Sequence, residues 1–208
     1  LNLVMQDLTI LEQSREEIIA EIANSTNVDL VVIGGGIHGA CFARLAAESG
    51  LKTVLLEKSD YASGTSSRSS KMAHGGLRYL ELLDFEQVFE GVKCREQLFA
   101  EYPSLVKPHP FYIPIPANDW FLRLKLKLGL TLYDFMLKNP KHKHYWVNKL
   151  EVDRKVPELT KQKLSGCYCY TDGILDDSKL VMANIQKARL SGAMCLNYAA
   201  IDELGKQV

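Results

Sequence analysis

The pattern most suited to chemistry is a group of three glycines directly after a short apolar run. Gly34, Gly36 and Gly39 are spaced as G-x-G-x-x-G behind residues 28–33. The first glycine of such a pattern makes a tight turn, the second lets a pyrophosphate approach the backbone, and the third lets a helix pack close to a strand. The spacing therefore predicts a phosphate-binding turn at the start of a helix.

A carboxylate at the end of the next apolar run extends this site. Glu57 lies 18 residues after Gly39, where it can accept both hydroxyls of an adenosine ribose and would repel a 2′-phosphate. Ile37 and His38 begin the helix, whose N–H groups and dipole attract phosphate, and Lys58 follows the acid. These residues predict dinucleotide binding without separating NAD from FAD. An ordinary glycine-rich turn is the alternative, and it does not explain Glu57.

A loop rich in hydroxyl groups and glycine follows the acid. Hydroxyls and backbone N–H groups can hold a pyrophosphate and a ribityl chain, paired glycines let backbone approach a flat ring, and an arginine fork suits a phosphate. The loop runs from Ser63 to Glu81, with the paired glycines at Gly75 and Gly76 and the arginine at Arg78. A flexible surface loop is the alternative, and the position directly after a ribose-binding strand argues against it. The loop therefore favours FAD over NAD.

Alternating strands and helices have to position these residues. The runs at 28–33 and 52–57 are typical of buried parallel strands, and residues 40–50 between them indicate a helix that ends at Gly50. Together they predict one βαβ unit. The other expected elements are a helical extension over 1–26 with a capping box at Ser14 and Glu17, a helical stretch from 77 to about 102, and strands at 166–171 and 193–201. A helix is also expected near 178–191, which the run Asp176-Asp177-Ser178 can cap.

Residues 119–138 admit two interpretations. Their leucines alternate strictly from Leu122 to Leu132, which favours a strand, whereas leucine and lysine are better helix formers. Of the two, we favour the helix, partly because of the family resemblance described below. Trp120 and the basic residues of 121–128 suit a membrane surface, but the alternation gives a weak amphipathic pattern. We therefore expect this helix to pack its leucines and solvate its lysines.

Composition excludes several classes of protein. The 208 residues carry 25 Lys+Arg against 25 Asp+Glu, so no net field attracts nucleic acid. No apolar run approaches the roughly 18 residues of a membrane-spanning helix. The five cysteines are odd in number and scattered, which favours a reducing compartment.

The pairs His142–His144 and Cys167–Cys169 lack the spacing of a zinc site, so we expect no metal.

Three stretches of the chain resemble the FAD-dependent glycerol-3-phosphate dehydrogenases. They are VIGGGIHGA, LLEKSDYASGTSSRSSKMAHGGLRYLE and YTDGILDDSKLVMAN, and the resemblance runs from about residue 28 to the end of the chain. It implies a flavoprotein that oxidises sn-glycerol 3-phosphate to dihydroxyacetone phosphate. The resemblance assigns the ADP half of FAD to Gly34, Gly36, Gly39 and Glu57, and the pyrophosphate and flavin side to Thr65, Ser66, Ser67, Ser70 and Lys71. It places the isoalloxazine beside His74, Gly75, Gly76 and Leu77. It assigns the substrate phosphate to Arg78 and Tyr79. It identifies no catalytic base within the chain.

The resemblance also implies an α/β fold, in which a Rossmann-like FAD-binding domain is interrupted by an α+β substrate domain. We expect a helical extension at 1–27, the FAD-binding domain at 28–105 and 177–208, and part of the substrate domain at 106–176. Members of the family are longer, so we expect the C-terminal part of the fold to be absent from this chain, and this stretch alone to be inactive.

The expected partners are glycerol 3-phosphate and an electron acceptor, which is quinone or, in the oxidase branch, oxygen. The resemblance allows a homodimer and implies a cytoplasmic location, peripheral on the inner face of the cytoplasmic membrane. Two other functions stay open, namely an FAD-dependent amine or amino-acid oxidase of the same superfamily and an inactive nucleotide-binding fragment. The motifs HGGLRY and YTDGILDDSKL argue against the amine or amino-acid oxidase.

Overall fold

The computed structural model describes residues 13–137 and 139–202, which form two compact units. Unit 1 combines the chain up to Ser70 with the chain from Asp176 onward, and unit 2 is the continuous stretch Lys71–Leu175. The helices are α1 (Arg15–Asn24), α2 (Ile37–Glu48), α3 (Phe85–Glu101), α4 (Trp120–Phe135), α5 (Lys149–Lys155) and α6 (Asp177–Leu190). The strands are β1 (Leu30–Ile33), β2 (Thr53–Leu56), β3 (Met72–Ala73), β4 (Val106–Pro116), β5 (Tyr145–Asn148), β6 (Leu164–Leu175) and β7 (Met194–Leu196).

Unit 1 contains a parallel sheet of three strands in the order β1-β2-β7. Leu30 of β1 pairs with Thr53 of β2, and Val54 of β2 pairs with Met194 of β7, so β2 is the central strand. A central parallel strand is covered on several sides, and apolar, β-branched residues are therefore favoured in it. The predicted βαβ unit is confirmed, since β1, α2 and β2 follow one another where the sequence places them.

Helices α2 and α6 pack together against β2 and form the core of unit 1. The buried residues of this core include Ala40, Ala43, Ala47, Leu55, Val181, Ile185 and Ala188. The alanines of α2 are small enough for the two helices to approach closely, and each larger apolar side chain contributes about 1.5–3 kcal/mol by its burial. Two alternate side chains of β1 lie outside this core, since Val31 is 51% exposed and Ile33 is 63% exposed.

The N-terminal helix α1 begins as the sequence predicts. The Ser14 hydroxyl accepts from the Glu17 N–H and the Glu17 carboxylate accepts from the Ser14 N–H, which confirms the capping box. The Arg15 guanidinium donates to the backbone carbonyl of Asn197 at 2.6 Å, so α1 is fastened to the segment after β7. The first part of the predicted extension, residues 1–12, lies outside the described residues.

The strand expected at 193–201 is confirmed only over Met194–Leu196. The chain turns at Tyr198, whose φ is 49° and whose N–H donates to the Ser59 carbonyl at 3.0 Å. The Ala199 N–H then donates to the Glu57 carbonyl at 2.8 Å. The segment after β7 therefore crosses the carboxyl end of β2 instead of extending the sheet.

Unit 2 is built on an antiparallel sheet with β6 at its centre. Strand β4 pairs with β6 along its whole length, and β3 and β5 pair with other parts of β6. Strand β4 contains prolines at 108, 110, 114 and 116. Their alternate spacing places the nitrogens that lack hydrogen on one side of the strand, which an edge strand tolerates.

The first boundary between the units differs from the expected one at 105–106. Strand β3 pairs with β6, and α3 packs Val88 and Val92 against Tyr133 of α4. Residues 71–105 therefore belong with the antiparallel sheet and not with the parallel one. The second boundary lies at 175–176, one residue from the expected position.

The helix favoured for residues 119–138 is confirmed as α4. A two-residue step advances about 200° around a helix, so strictly alternating leucines fall on two faces instead of one. Leu126 and Leu130 face the core of unit 2, whereas Leu124 is 47% exposed and Leu128 is 65% exposed. The expectation that α4 packs its leucines is thus met on one face only. Within the described ranges, no helix is long and apolar enough to cross a membrane.

Candidate functional site

The glycine turn between β1 and α2 has the close packing that its spacing predicts. Gly34 adopts a φ of +105°, and its N–H donates to the Leu56 carbonyl at 2.8 Å. A Cβ at Gly39 would lie 1.9 Å from the Gly34 carbonyl oxygen, which no real side chain could occupy. The three-residue interval between Gly36 and Gly39 therefore brings the first turn of α2 into direct backbone contact with the end of β1.

The N-terminus of α2 presents backbone donors beside the hydroxyl-rich loop. Gly36 is its N-cap residue and offers no side chain to accept from the first turn. The Ile37 N–H instead donates to the Ser66 hydroxyl at 2.9 Å, and His38 is exposed at the next position. A helix start of this kind binds anions through its N–H groups and its dipole. The structure thus brings Ser66 to the predicted phosphate position.

The hydroxyl-rich loop extends across the boundary between the two units. The Ser67 hydroxyl donates to the Gly64 carbonyl, whereas Thr65 and Ser70 are exposed. Lys71, with a φ of 56°, and His74 are exposed and belong to unit 2. Of the predicted set, Ser66 is therefore the residue with a hydroxyl bonded to the turn.

Both carboxylate oxygens of Glu57 accept from backbone N–H groups, one of which belongs to the glycine turn. Its Oε2 accepts from the Gly35 N–H at 2.6 Å, and its Oε1 accepts from the Ser59 N–H at 2.8 Å. Gly35 is a requirement that the sequence analysis missed, because a Cβ there would meet the Tyr61 ring at 2.6 Å. The adjacent Lys58 is exposed. The acid therefore shapes the turn as well as being available to a ribose.

A cavity of about 310 Å³ lies at the carboxyl ends of β1 and β2. Its lining is Ile33, Gly34, Leu56, Glu57, Lys58, Ala199, Ala200 and Ile201. Apolar walls suit a flat base, and the single carboxylate suits a vicinal diol, so the lining fits the adenosine part of a dinucleotide. Sequence reasoning missed residues 199–201, because they follow a strand that is shorter than expected.

In unit 2, Arg78 and Tyr79 follow a tight turn. Gly76 has a φ of +75° and precedes a 3₁₀ helix over Leu77–Leu82. Arg78 is exposed beside the Tyr79 ring, whereas Tyr79 packs against the apolar cluster of α3 and α4. The structure therefore makes Arg78 accessible to a ligand and gives Tyr79 mainly a packing role.

Arg78 borders a groove of about 480 Å³ within unit 2. The groove is lined by Leu77, Arg78, Leu80, Leu83, Lys125, Leu126, Gly129, Leu130 and Tyr170. Burial raises the pKa of Tyr170 to about 12, with a further contribution from the charge of Asp172, so the hydroxyl keeps its proton at neutral pH. Arg78 and Lys125 are the cations of a groove whose walls are otherwise mostly leucine.

A buried polar cluster lies behind the turn at Gly75. Asp172 Oδ1 accepts from Arg95 Nη1 at 2.6 Å, from the Tyr133 hydroxyl at 3.1 Å and from the Gly75 N–H at 3.0 Å. Arg95 and Asp172 are each 1% exposed. Burial raises the pKa of Tyr133, with a further contribution from the Asp172 charge, so its hydroxyl remains a donor. The sequence signal for this cluster is an acid inside an otherwise uncharged strand, which the sequence analysis did not use.

The side chains weighed as metal ligands have other partners. His144 Nδ1 lies 2.7 Å from Asp134 Oδ2, and Cys167 and Cys169 belong to an apolar cluster. No group of three or more potential metal ligands occurs in the part of the chain that the structure describes. Asp176 accepts from the Lys179 N–H at 3.1 Å, which confirms it as the N-cap of α6.

Comparison with known proteins agrees with this geometry. Residues 29–208 match the family described as FAD dependent oxidoreductase, abbreviated DAO. Alpha-glycerophosphate oxidase of Enterococcus casseliflavus is 38% identical over 198 residues, which are 93% of this chain and 32% of that protein. The corresponding oxidase of Streptococcus pneumoniae is 38% identical over 204 residues, 94% of this chain and 33% of that one.

A solved structure shows the same relationship. The glycerol-3-phosphate dehydrogenase of Bacillus halodurans, complexed with FAD, superposes with a TM-score of 0.68 at 28% sequence identity. The superposition covers 93% of this chain and 30% of that one. The chain thus spans about a third of the length of the relatives that it matches.

Proposed function

The chain belongs to the FAD-dependent oxidoreductase (DAO) family, and we propose that the protein oxidises sn-glycerol 3-phosphate to dihydroxyacetone phosphate. The observation that carries the proposal is the 38% identity to alpha-glycerophosphate oxidases over 93% of the chain, including the Gly34–Glu57 site. FAD is the cofactor of the family, and when bound it supplies the redox chemistry by accepting a hydride.

The residues of unit 1 fit the ADP half of FAD. Glu57 and the cavity beside it would hold the adenosine, with the carboxylate accepting from the ribose hydroxyls. The Ile37 N–H and the Ser66 hydroxyl, already 2.9 Å apart, would face the pyrophosphate. The close approach of Gly39 to Gly34 leaves no room for a side chain at position 39.

We assign recognition of the substrate phosphate to Arg78. It is exposed at the groove of unit 2, and a planar guanidinium can bind two phosphate oxygens at once. Tyr79 supports this role through the contact of its ring with the guanidinium, 5.9 Å from the ring centre. Binding energy at a phosphate remote from the reacting carbon helps to orient that carbon.

Contact with an anionic lipid surface is the second part of the proposal. The outer face of α4 carries Phe121, Leu124, Leu128 and Phe135, of which Phe135 is 84% exposed. Arg123, Lys125 and Lys127 flank this stripe, and Trp120 stands at its start, as in helices that lie in a membrane interface. This surface supports a peripheral location at the cytoplasmic membrane, with quinone as an accessible electron acceptor.

The test of the redox function uses the full-length protein. Bound flavin gives absorption bands near roughly 370 and 450 nm, and the substrate should bleach the second band in the absence of oxygen. We expect sn-glycerol 3-phosphate to do so and glycine or L-proline not to. Bleaching by an amino acid alone would establish the amine or amino-acid oxidase instead, and a colourless protein would contradict both.

Arg78→Ala tests the phosphate assignment within the same assay. The KM for glycerol 3-phosphate should rise at least about tenfold, the effect of losing a charge-assisted hydrogen bond, while the flavin spectrum stays unchanged. Arg78→Lys should recover part of the loss, because a point charge lacks the bidentate fork. Arg154→Ala removes an exposed arginine of α5 and serves as the matched control. If Arg78→Ala loses FAD and keeps a normal KM, the residue binds the cofactor instead.

Vesicle sedimentation tests the membrane contact. The protein should bind vesicles that contain anionic lipid, and replacing Lys125 and Lys127 with Gln should weaken binding by roughly 1 kcal/mol per residue. Replacement of Lys161 and Lys163, which lie outside α4, is the control. Equal binding of both double variants would contradict the assignment of this surface.

A further inference from the structure

The buried cluster of Arg95, Tyr133 and Asp172 has no role in the chemistry described so far. It joins three elements that are distant in sequence, because Arg95 lies on α3, Tyr133 on α4 and Asp172 on β6. Arg95 Nη1 donates to the Tyr133 hydroxyl at 2.8 Å and to Asp172 at 2.6 Å, and the Tyr133 hydroxyl donates to Asp172. The three side chains therefore form a closed triangle of hydrogen bonds.

The cluster meets the functional motif at one atom. Asp172 Oδ1 also accepts from the N–H of Gly75, which lies in the HGGLRY motif three residues before Arg78. A Cβ at Gly75 would lie 1.9 Å from the Tyr133 hydroxyl, and a Cβ at Gly91 would lie 3.1 Å from the Gly75 carbonyl. Helix α3, helix α4 and strand β6 thus enclose the backbone of this turn at contact distance.

A contribution to stability does not explain such an arrangement. Burying an ion pair costs desolvation that its attraction often fails to recover, and apolar residues of similar size would serve a core as well or better. What a buried hydrogen-bonded network does provide is a fixed geometry, because each of its bonds ties one element to another. Functional groups generally need such support, since a side chain that binds substrate is useful only when the backbone carrying it is held still.

We propose that Asp172, Arg95 and Tyr133 are positioning residues that hold the Gly75–Gly76 turn in place and thereby set the position of Arg78 for the substrate phosphate. This inference rests on the proposed function. The 3₁₀ helix of Leu77–Leu82 starts from Gly76, whose left-handed conformation fixes the direction in which Arg78 leaves the turn. The glycines at 75 and 91 are needed because any side chain would push the turn away from the cluster.

The first experiment measures the restraint itself. Tyr133→Phe keeps the ring and removes the hydroxyl, and Asp172→Asn keeps the shape and removes the charge. Tyr168→Phe is the matched control, since Tyr168 is a buried tyrosine of β6 that contacts the Trp146 and His144 rings. Amide hydrogen exchange should become at least about tenfold faster at Gly75 and Gly76 in the two cluster variants and remain unchanged in the control.

The second experiment measures the consequence for substrate. In the full-length protein, Tyr133→Phe and Asp172→Asn should raise the KM for glycerol 3-phosphate by about fivefold or more. Their kcat at saturating substrate should fall less than their kcat/KM, because the defect lies in presenting Arg78. Tyr168→Phe should leave both constants unchanged.

The outcomes separate the inference from the function on which it rests. A wild-type protein that is not reduced by glycerol 3-phosphate refutes the proposed function, and hydrogen exchange then still decides whether the cluster holds the turn. Exchange at Gly75 that is equal in Tyr133→Phe and in Tyr168→Phe overturns the inference. Faster exchange with an unchanged KM also overturns it, because the turn would then be held without effect on Arg78. If Asp172→Asn fails to fold, Tyr133→Phe, which removes one hydroxyl, decides alone.

Discussion

Replacement of Gly39 by alanine is the sharpest test of the cofactor-binding turn. The added Cβ would lie 1.9 Å from the Gly34 carbonyl oxygen, 3.1 Å from its carbonyl carbon and 3.4 Å from Val32 Cγ1. The first of these distances is more than about 1 Å too short for any non-bonded contact. Because the obstacle is backbone and not the end of a flexible side chain, α2 has to move away from β1.

The expected cost follows from this displacement. Overpacking of a well-packed site costs about 1–3 kcal/mol, and a clash with backbone belongs at the upper end, so we expect about 3 kcal/mol. For a folded stretch of about 150–250 residues that corresponds to a decrease in Tm of roughly 6–12 °C. The same movement displaces the N–H groups of α2 from the phosphate, and the affinity for FAD should fall at least about tenfold.

Thermal unfolding followed by circular dichroism and FAD binding followed by flavin fluorescence check these values. Gly129→Ala is the matched control, since Gly129 lies inside α4 and a Cβ added there would meet nothing within 4 Å, so this variant should gain about 0.5–1 kcal/mol. A Gly39→Ala protein that melts within about 2 °C of wild type and binds FAD equally well would refute the packing argument.

Three further predictions follow from the described contacts. Glu57→Gln should weaken FAD binding by about 1.5–3 kcal/mol, measured by equilibrium dialysis. The control Glu16→Gln changes an exposed acid of α1 and should leave FAD binding unchanged. Equal FAD affinities of the two variants would contradict the role of the Glu57 carboxylate. Burial raises the pKa of the Cys195 thiol from 9.0 to about 12. As the pH rises, the unfolded chain therefore loses this proton before the folded protein does. The free energy of unfolding should fall by about 1 kcal/mol between pH 9 and 10 as a result. Cys195→Ala should remove that part of the pH dependence in denaturant titrations, and an unchanged slope would refute the assignment. Iodoacetamide should modify the exposed Cys94 before the buried Cys167 and Cys195 in native protein, as read by peptide mass spectrometry, and the reverse order would contradict the described burial.

The sequence predicts the local part of the cofactor site well. The G-x-G-x-x-G spacing, the apolar runs on either side and the acid at Glu57 each depend on neighbours within one βαβ unit, and the structure confirms that unit. The Asp176 cap of α6 and the Ser14 capping box are equally local patterns and are also confirmed. Signals of this kind are determined by a few adjacent residues and need no knowledge of the tertiary fold.

What the sequence analysis misses depends on contacts between distant parts of the chain. The three partners of Asp172 lie 39 or more residues away, and no spacing rule connects them. The boundary at Ser70 is set by the pairing of β3 with β6, about 100 residues apart in the sequence. The leucines of α4 are misleading for a different reason, because a repeat of two places them on both faces of a helix.

The division of unit 1 into two sequence segments has a consequence for biosynthesis. Strand β2 ends at Leu56 and cannot pair with β7 until Met194 has been made, whereas the strands β3 to β6 that form the second sheet all lie within the continuous unit 2. A chain emerging from the ribosome at about 5–20 residues per second therefore holds β1 and β2 as an unfinished sheet for roughly 7–28 s. During that interval the unpaired edge of β2 is a site for wrong association. Folding of unit 2 in the meantime brings the ends of its own segment together. The loop between β2 and β7 is then effectively shorter, so the entropy cost of pairing these two strands is smaller.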